Sequence, residues 1–277
     1  VLTTTNPPKP HFHPIWQGLP QWPYVQQNLL NSLSFRLRQR TAIRKSFSFT
    51  SDLKVYETCH RQYEFFRFYQ FTPSLSAEYF FGSLVHQTIE DIHRWAMDGQ
   101  ASSLTDDRIH DLFNQNYQNL QVRGFRPIGP VQRDQAYAQV ANYLVQNKAE
   151  FNRILDTEID VSVEKDEYIL TGKIDLLLGG DGKLELLDFK SQQRPSDQEA
   201  ISSYYKQLCI YAHILETRDG KRPDRLMIYW TAEKKRESAI MSFPYNNNDV
   251  DEASSHFDGV VKDILNREFN VKQRPEQ

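Results

Sequence analysis

The order of hydrophobic and polar residues predicts a helical first half for this chain. An N-cap signal at 50–52, followed by apolar residues at helical spacing, predicts an entry helix. An apolar stripe predicts a second helix over 77–98 that stops at Gly99, a residue typical of helix C-termini. Two more helices are predicted over 107–120 and 132–155.

The pattern changes after residue 156. Alternating apolar and polar residues predict one strand over 159–163 and a second over 168–178. The glycine-rich turn at 179–182 predicts a hairpin that leads into a third strand over 183–189. The remaining predicted elements are a helix, two short strands and a closing helix, over 198–215, 226–230, 239–243 and 250–267. This order predicts an α/β fold, with a mixed central sheet flanked by helices and an N-terminal helical insertion.

The first 48 residues differ from the rest of the chain. Six of the 13 prolines lie within the first 23 residues, which indicates an extended arm rather than a long helix. A basic helix is predicted over 25–45, and its charges are more typical of a solvated face than of a phosphate-binding surface. We therefore expect 1–48 to be an arm and linker from a longer protein, and 49–277 to be the main domain.

Composition and charge exclude several classes of protein. Hydrophobic residues make up 39% of the sequence, which is enough for a folded core, and no apolar run approaches the roughly 18 residues of a membrane-spanning helix. Two cysteines cannot form a disulfide framework, so a reducing cytoplasmic setting is predicted. The net charge of −3 gives no general sign of nucleic-acid binding, so any such surface has to be local.

Charged residues interrupt the apolar strands of the predicted hairpin. Alternation places Asp188 and Lys190 on one face at the end of the third strand, and Asp175 lies on the partner strand. Two carboxylates that meet across a hairpin repel each other, and a hard divalent cation such as Mg²⁺ relieves that repulsion. The lysine would then orient or deprotonate the attacking water, or stabilise charge that develops on a phosphate. On its own, the pattern favours a plain salt bridge at a strand end.

Two other features shift the balance towards a metal site. His86 lies just beyond the apolar stripe of its helix, where an imidazole either packs at the core boundary or binds a metal. Gln207 and Tyr211 are four residues apart and share one face of a helix, which ordinary packing with a polar edge would also explain.

Together these motifs resemble the RecB-type branch of the PD-(D/E)XK nuclease superfamily, which includes CRISPR-associated exonucleases and nuclease domains fused to UvrD-type helicases. The resemblance covers residues 49–243 and has five parts in the family's order. They are an entry helix containing Cys59, a G-x-x-x-H motif ending in His86, a G-x-[IV]-D strand ending in Asp175, the D-x-K strand of Asp188 and Lys190, and the Q-x-x-x-Y helix of Gln207 and Tyr211.

The resemblance implies roles for individual residues. The implied metal ligands are His86, Asp175, Asp188 and the backbone carbonyl of Phe189, and the implied metal is Mg²⁺ or Mn²⁺. Lys190 would be the catalytic lysine, while Gln207 and Tyr211 would steady the active site or contact DNA. Glu158 is a weaker candidate for a supporting acidic residue.

The activity that the resemblance implies is metal-dependent hydrolysis of DNA. A single-strand exonuclease in DNA repair or recombination is expected, with a fused or associated helicase as a partner and no membrane association. The alternative is a non-catalytic DNA-binding or scaffolding module that keeps the nuclease fold. The presence of every implied catalytic residue favours the enzyme.

The cysteines depart from the pattern of many relatives, which hold an iron–sulfur cluster with one cysteine in the entry helix and three near the C-terminus. Cys59 matches the first position, whereas Cys209 lies within the Q-x-x-x-Y helix and is predicted to be a core residue. Two cysteines cannot supply four thiolates. A cluster is therefore expected only if the protein carries further cysteines beyond this sequence.

Overall fold

A mixed sheet lies at the centre of the computed structural model, which describes residues 45–72 and 75–270. Residues 1–44 lie outside the described part of the chain. They include the predicted proline-rich arm and all but the last residue of the predicted basic helix. The strands are β1 (Ser46–Ser48), β2 (Ile154–Glu164), β3 (Ile169–Gly180), β4 (Lys183–Lys190), β5 (Arg225–Trp230) and β6 (Ile240–Pro244).

The long strand β3 organises this sheet. One edge of β3 pairs antiparallel with β2 along most of its length. The other edge has two partners: its start pairs parallel with β1 over Ile169–Thr171, and its end pairs antiparallel with β4 from Leu176 onward. Residues 172–175 lie between these two pairings. β4 continues the sheet through parallel β5 and antiparallel β6.

Eight α-helices surround the sheet in the described part of the chain. They are α1 (Lys54–Thr58), α2 (His60–Arg67), α3 (Ala77–Met97), α4 (Asp106–Val122), α5 (Pro130–Asn147), α6 (Gln198–Asp219), α7 (Arg236–Ala239) and α8 (Asn247–Leu265). A π-helical segment, Phe49–Leu53, precedes α1, and 3₁₀ turns occupy Ala101–Ser103 and Lys148–Arg153.

The two faces of the sheet bury separate apolar cores. Leu186 of β4 packs with α6 and α8 residues on one face, whereas its neighbour Leu187 packs with α3, α4 and α5 residues on the other. This follows from the strand period of two, since successive side chains point to opposite faces. Each fully buried leucine contributes roughly 1.5–3 kcal/mol. The apolar run of β4 is therefore explained by burial on both faces.

The predicted α/β fold with a mixed sheet and flanking helices is confirmed. The predicted hairpin is also present: Gly180 pairs with Lys183, and the two turn residues Asp181 and Gly182 have φ values of 52° and 73°. Positive φ at both positions is the geometry of a type I′ turn, for which Asp-Gly is a preferred pair. Within the residues that the structure describes, no helix is both long and apolar enough to span a membrane.

The structure differs from the sequence prediction in three places. The entry helix is not continuous, because Cys59 adopts an extended conformation (φ −163°, ψ 107°) that separates α1 from α2. The helix predicted over 132–155 ends as α5 at Asn147 and tightens into the 3₁₀ turn. Ser46–Ser48, placed by the sequence in the arm, is a strand of the sheet.

Candidate active site

Asp175 lies on β3 at the point where β3 and β4 separate. Its carboxylate oxygen Oδ2 accepts a hydrogen bond of 2.7 Å from the backbone N–H of Phe189 on β4. The residues on either side of Asp175 pack in different cores, Ile174 on the α6 face and Leu176 on the α3 face. Residues two apart normally share a face, so the strand alternation is interrupted at Asp175. This interruption and the bond to Phe189 fix the carboxylate at the edge of a cavity.

Glu158 lies opposite Asp175 on β2, between the pairs Thr157–Leu176 and Ile159–Ile174. Its φ of 53° lies in the left-handed region, where a residue with a side chain costs roughly 1–2 kcal/mol. Its carboxylate forms a 2.5 Å ion pair with Lys173. Strained backbone of this kind accumulates at functional sites. The irregularity on β2 therefore matches the interrupted alternation on β3.

α3 brings His86 to the same point. The helix begins where the side chain of Ser76 accepts the N–H of Tyr79, and its apolar side packs against the sheet. Gly82 allows α3 to approach the end of β4, because a Cβ at this position would lie only 3.3 Å from the hydroxyl of Ser191. One turn later, Nδ1 of His86 lies 3.7 Å from Oδ2 of Asp175.

These three residues form a set of metal-ligand type. One ligand atom each from His86, Glu158 and Asp175 lies within 4.8 Å of the other two. The same residues line a cavity of about 530 Å³, together with the start of α3 and Lys173. Imidazole nitrogen and carboxylate oxygens suit first-row and hard divalent cations.

The electrostatics of this set favour a bound cation. Burial, together with the nearby carboxylates of Asp188 and Glu158, raises the pKa of Asp175 well above its usual value. Burial also raises the pKa of Glu158 and lowers the pKa of His86 to about 4. At neutral pH the imidazole is therefore uncharged and keeps a lone pair for a metal, while the carboxylates gain from a positive charge between them.

A second group of site residues lies on the α6 face of the sheet. Nζ of Lys190 forms a 2.5 Å ion pair with Oδ2 of Asp188 and donates a 3.1 Å hydrogen bond to Oε1 of Gln207. Nε2 of Gln207 donates to Oδ1 of Asp188 at 3.1 Å and to the hydroxyl of Tyr211 at 2.8 Å. Only this orientation of the amide gives every partner a donor or an acceptor of the right kind. Gln207 therefore ties the carboxylate and the ammonium into one network.

Tyr211 is held in place by an uncommonly close contact with β3. A Cβ at Gly172 would lie 2.8 Å from the ring of Tyr211, so only glycine leaves room for the ring. The ring is 5% exposed, and burial raises the pKa of its hydroxyl. The glycine of the G-x-[IV]-D strand thus has a packing role towards the Q-x-x-x-Y helix.

The ammonium groups of two lysines lie over the ring of Tyr204, near the second group of site residues. Nζ of Lys190 lies 4.8 Å from the ring centroid, and Nζ of Lys54 lies 5.3 Å from it. Burial and the charge of Lys190 lower the pKa of Lys54. Neither Lys54 nor Tyr204 was singled out from the sequence, since a lysine in a short helix and an aromatic residue in a long one carry no distinctive pattern.

The predicted site residues thus fall into two groups that meet between β3 and β4. His86 joins Asp175, while Asp188 joins Lys190, Gln207 and Tyr211. The carboxylate of Asp188 is not among the atoms grouped with His86. Phe189 connects the groups, because its N–H binds Asp175 and its ring packs edge-on against the imidazole at 6.1 Å. A metal-binding role for its carbonyl stays a prediction.

The two cysteines occupy different settings. Cys59 caps α2, where its Sγ accepts the N–H of Gln62 at 3.4 Å. Cys209 is buried in α6, as expected of a core residue, and burial raises the pKa of its thiol to about 12. Glu158, a weaker candidate from the sequence, lies in one group with His86 and Asp175. The one available signal was its position, since counting back across an antiparallel pair places it opposite Asp175.

Comparison with known proteins gives a family match and distant structural likenesses. A family model described as the PD-(D/E)XK nuclease superfamily matches residues 46–276. None of the curated proteins matches this sequence. Similar solved structures include a candidate exonuclease from Eubacterium rectale, with 13% identity, a TM-score of 0.42, and coverage of 74% of this chain and 91% of that chain. Protein VC1899 from Vibrio cholerae has 15% identity, a TM-score of 0.23, and coverage of 67% and 56%. Both TM-scores lie below 0.5.

Proposed function

Because this chain belongs to the PD-(D/E)XK nuclease superfamily, we propose that it hydrolyses the phosphodiester bonds of DNA with a divalent cation. The observation that carries the proposal is the meeting of two groups between β3 and β4. A histidine and two carboxylates with the donor atoms of a metal site lie beside a lysine that is fixed by Asp188 and Gln207. Nucleophile activation and charge stabilisation are thereby available in one place.

The donor set fits Mg²⁺ or Mn²⁺. His86, Glu158 and Asp175 would hold the cation, with Asp188 and the Phe189 carbonyl as further ligands when the site closes on it. A bound divalent cation lowers the pKa of a coordinated water and polarises a phosphate oxygen. The raised pKa of Asp175 supports this assignment, because carboxylates crowded in a buried site are stabilised by positive charge.

The residues of the second group act on the phosphate and the water. The ammonium of Lys190 has one donor left after its bonds to Asp188 and Gln207, and it would stabilise negative charge on the phosphate in the transition state. Gln207 fixes the position of Lys190 relative to Asp188. Because two partners hold the ammonium in the free protein, little reorganisation is needed when DNA binds.

We further propose that the substrate is a single-stranded end, and that the enzyme acts in DNA repair or recombination. The support is the resemblance to RecB-type nucleases, from which the helicase partner and the cytoplasmic setting are also predicted. The iron–sulfur cluster of some relatives does not fit this chain's residues. Cys209 is buried in α6, and Cys59 caps α2, so these two thiols do not supply the four ligands of a cluster.

Digestion of end-labelled DNA tests the proposal. The wild-type protein is expected to shorten single-stranded DNA with Mg²⁺ or Mn²⁺ but not with a chelator, and the product ladder gives the polarity. Lys190→Ala should abolish cutting, whereas Lys183→Ala, at the exposed start of the same strand, should leave it unchanged. DNA binding without cutting under either metal would overturn the proposal and support a non-catalytic DNA-binding module.

A further inference from the structure

One aromatic side chain that lines the cavity beside His86, Glu158 and Asp175 is not packed in the core. Tyr79 is 66% exposed although it lies in the first turn of α3, between residues that pack on the sheet. In the part of the chain that the structure describes, its ring stacks on no other ring and its hydroxyl forms no hydrogen bond. Large exposed aromatic rings are characteristic of binding surfaces.

Tyr79 belongs to the face of α3 that lines the cavity. Positions 79, 83, 86 and 90 are spaced by three or four residues, so their side chains share one side of the helix. All four residues line the cavity together with Glu158, Lys173 and Asp175. Tyr79 lies seven residues before His86, which corresponds to about 10 Å along the helix axis. That distance spans about one to three nucleotides of a DNA strand.

The charges around Tyr79 select the part of DNA that fits there. Glu78 is exposed beside it, and Asp175 lines the same cavity. The other two acidic groups there are paired, Glu90 with Arg94 and Glu158 with Lys173. A phosphate beside Glu78 would be repelled. An uncharged base would not be, and an aromatic ring offers it a stacking surface.

Two cationic side chains lie outside this cavity, in the neighbouring second group of site residues. Lys54 and Lys190 both lie over the ring of Tyr204, on the α6 face of the sheet. Ammonium groups there suit the phosphates of a strand that crosses the site. Phosphates are therefore suited to the lysine side of the site, and an uncharged base is suited to the cavity beside Tyr79.

We propose that Tyr79 is a base-stacking subsite, which holds an unpaired base of a single-stranded DNA about one to three nucleotides from the bond that is cut. The inference rests on the proposed nuclease function and adds a specificity residue to it. A base in a duplex is already stacked on both sides, so this subsite favours single strands and frayed ends.

An abasic scan tests the subsite by binding rather than by cutting. Fluorescence anisotropy measures the Kd of labelled oligothymidylates, each lacking the base at one position counted from the end, for Lys190→Ala protein with Mg²⁺. The expected result is a Kd that rises about 5-fold or more at one position, as for the loss of one stacked base. Adding Tyr79→Ala should raise the Kd for intact DNA by a similar factor and remove the effect of that abasic position. Adding Tyr79→Phe should preserve both.

Two controls separate the possible failures. Met97→Ala changes another exposed residue of α3, far from the cavity, and should leave the abasic profile unaltered. An equal loss of affinity at every abasic position, or an unchanged Kd in Tyr79→Ala, overturns the subsite. If the wild-type protein cuts DNA but shows no sensitive position, the subsite alone fails. If it shows the sensitive position but cuts nothing with Mg²⁺ or Mn²⁺, the nuclease function fails while the subsite stands.

Discussion

Asp175 and Asp188 are largely buried carboxylates on neighbouring strands, yet their surroundings differ. Asp188 has two side-chain partners, with the Lys190 ammonium at 2.5 Å and the Gln207 amide at 3.1 Å. Asp175 receives one backbone N–H and otherwise faces the uncharged His86 and the carboxylate of Glu158. The lysine half of the site (Asp188, Lys190 and Gln207) is therefore balanced within the fold. In the histidine half (His86, Glu158 and Asp175), the proposed cation would offset the carboxylates.

Replacing each aspartate by asparagine is expected to break the site with opposite effects on stability. Both Asp175→Asn and Asp188→Asn should lower the cutting rate by about 10²–10⁴-fold. Asp188→Asn should also destabilise the metal-free fold by about 1–3 kcal/mol, because Lys190 loses its counter-charge. Asp175→Asn should keep or raise the melting temperature, since an amide oxygen still accepts the Phe189 N–H without the repulsion. Cutting assays and thermal melts in chelator check both parts.

The pH dependence of this difference has a definite sign. The pKa of Asp175 is raised in the fold, so the folded state holds its proton to higher pH than the unfolded chain does. In the metal-free wild type this group therefore contributes a loss of stability as pH rises above about 4, the ordinary range of the carboxyl group. Asp175→Asn should remove this loss. Equal melting temperatures for Asp175→Asn and Asp188→Asn at every pH would refute the contrast between the two halves of the site.

The lysine half can be weakened without touching the metal ligands. Gln207→Leu removes the amide that connects Asp188, Lys190 and Tyr211, and should lower the cutting rate by about 10–100-fold, as for the loss of an outer-shell partner. Mn²⁺ affinity should stay within a few-fold of the wild type. Tyr211→Phe keeps the ring and removes one hydroxyl, so its effect should be smaller. A large loss of metal affinity in Gln207→Leu would show that the halves are not separable.

The contact between β3 and α6 provides a packing test. Gly172→Ala places a methyl group 2.8 Å from the ring of Tyr211, and should cost about 1–3 kcal/mol of stability by overpacking. Displacement of that ring should also reduce cutting through Gln207. Gly259→Ala is the matched control, because it lies in α8 with nothing within 4 Å of the added carbon. There the substitution should be neutral or stabilising by up to about 1 kcal/mol. Equal effects at both glycines would remove the packing argument.

Two histidines on α3 extend the comparison into the core. His93 is seven residues beyond His86, but its nitrogens are both engaged, Nε2 with the hydroxyl of Tyr143 at 2.8 Å and Nδ1 with that of Thr157 at 3.2 Å. Thr157 in turn donates to the backbone carbonyl of Asp175. His93 therefore supports the backbone at Asp175 through Thr157.

Burial lowers the pKa of His93 to about 3, against about 6.5 in an unfolded chain. Below pH 6.5 the unfolded state binds a proton at this histidine that the folded state does not bind. The contribution of His93 to stability therefore falls as pH falls, by about 1.4 kcal/mol per pH unit. His93→Gln should flatten this slope by one proton, measured by denaturant unfolding over pH 4–7.

Much of this architecture could be predicted from the sequence. The helices with strong apolar stripes and the Asp-Gly hairpin were found because periodicity and turn chemistry are local properties. The match to the family model over 46–276 agrees with the resemblance drawn from the motifs. Strand alternation also placed Asp188 and Lys190 on one face. Their predicted salt bridge exists, but it is part of a wider network through Gln207.

The features that the sequence did not reveal depend on tertiary structure. β1 is three residues long, too short to produce a periodic pattern, and its pairing with β3 is not local. The break at Cys59 lies within an uninterrupted helical spacing. Glu158 lies beside His86 and Asp175 through a left-handed backbone conformation that glutamate rarely adopts. Cavity position, which makes Tyr79 a candidate for binding, is likewise invisible in one dimension.

Calorimetric titration with Mn²⁺ tests the central claim most directly, that His86, Glu158 and Asp175 form a cation site beside a preformed lysine network. The wild-type protein should bind one ion in the histidine half. The heat of Mn²⁺ binding should be lost in Asp175→Asn but kept in Lys190→Ala. Binding that survives Asp175→Asn unchanged, or no binding to the wild type with or without DNA, would contradict the account.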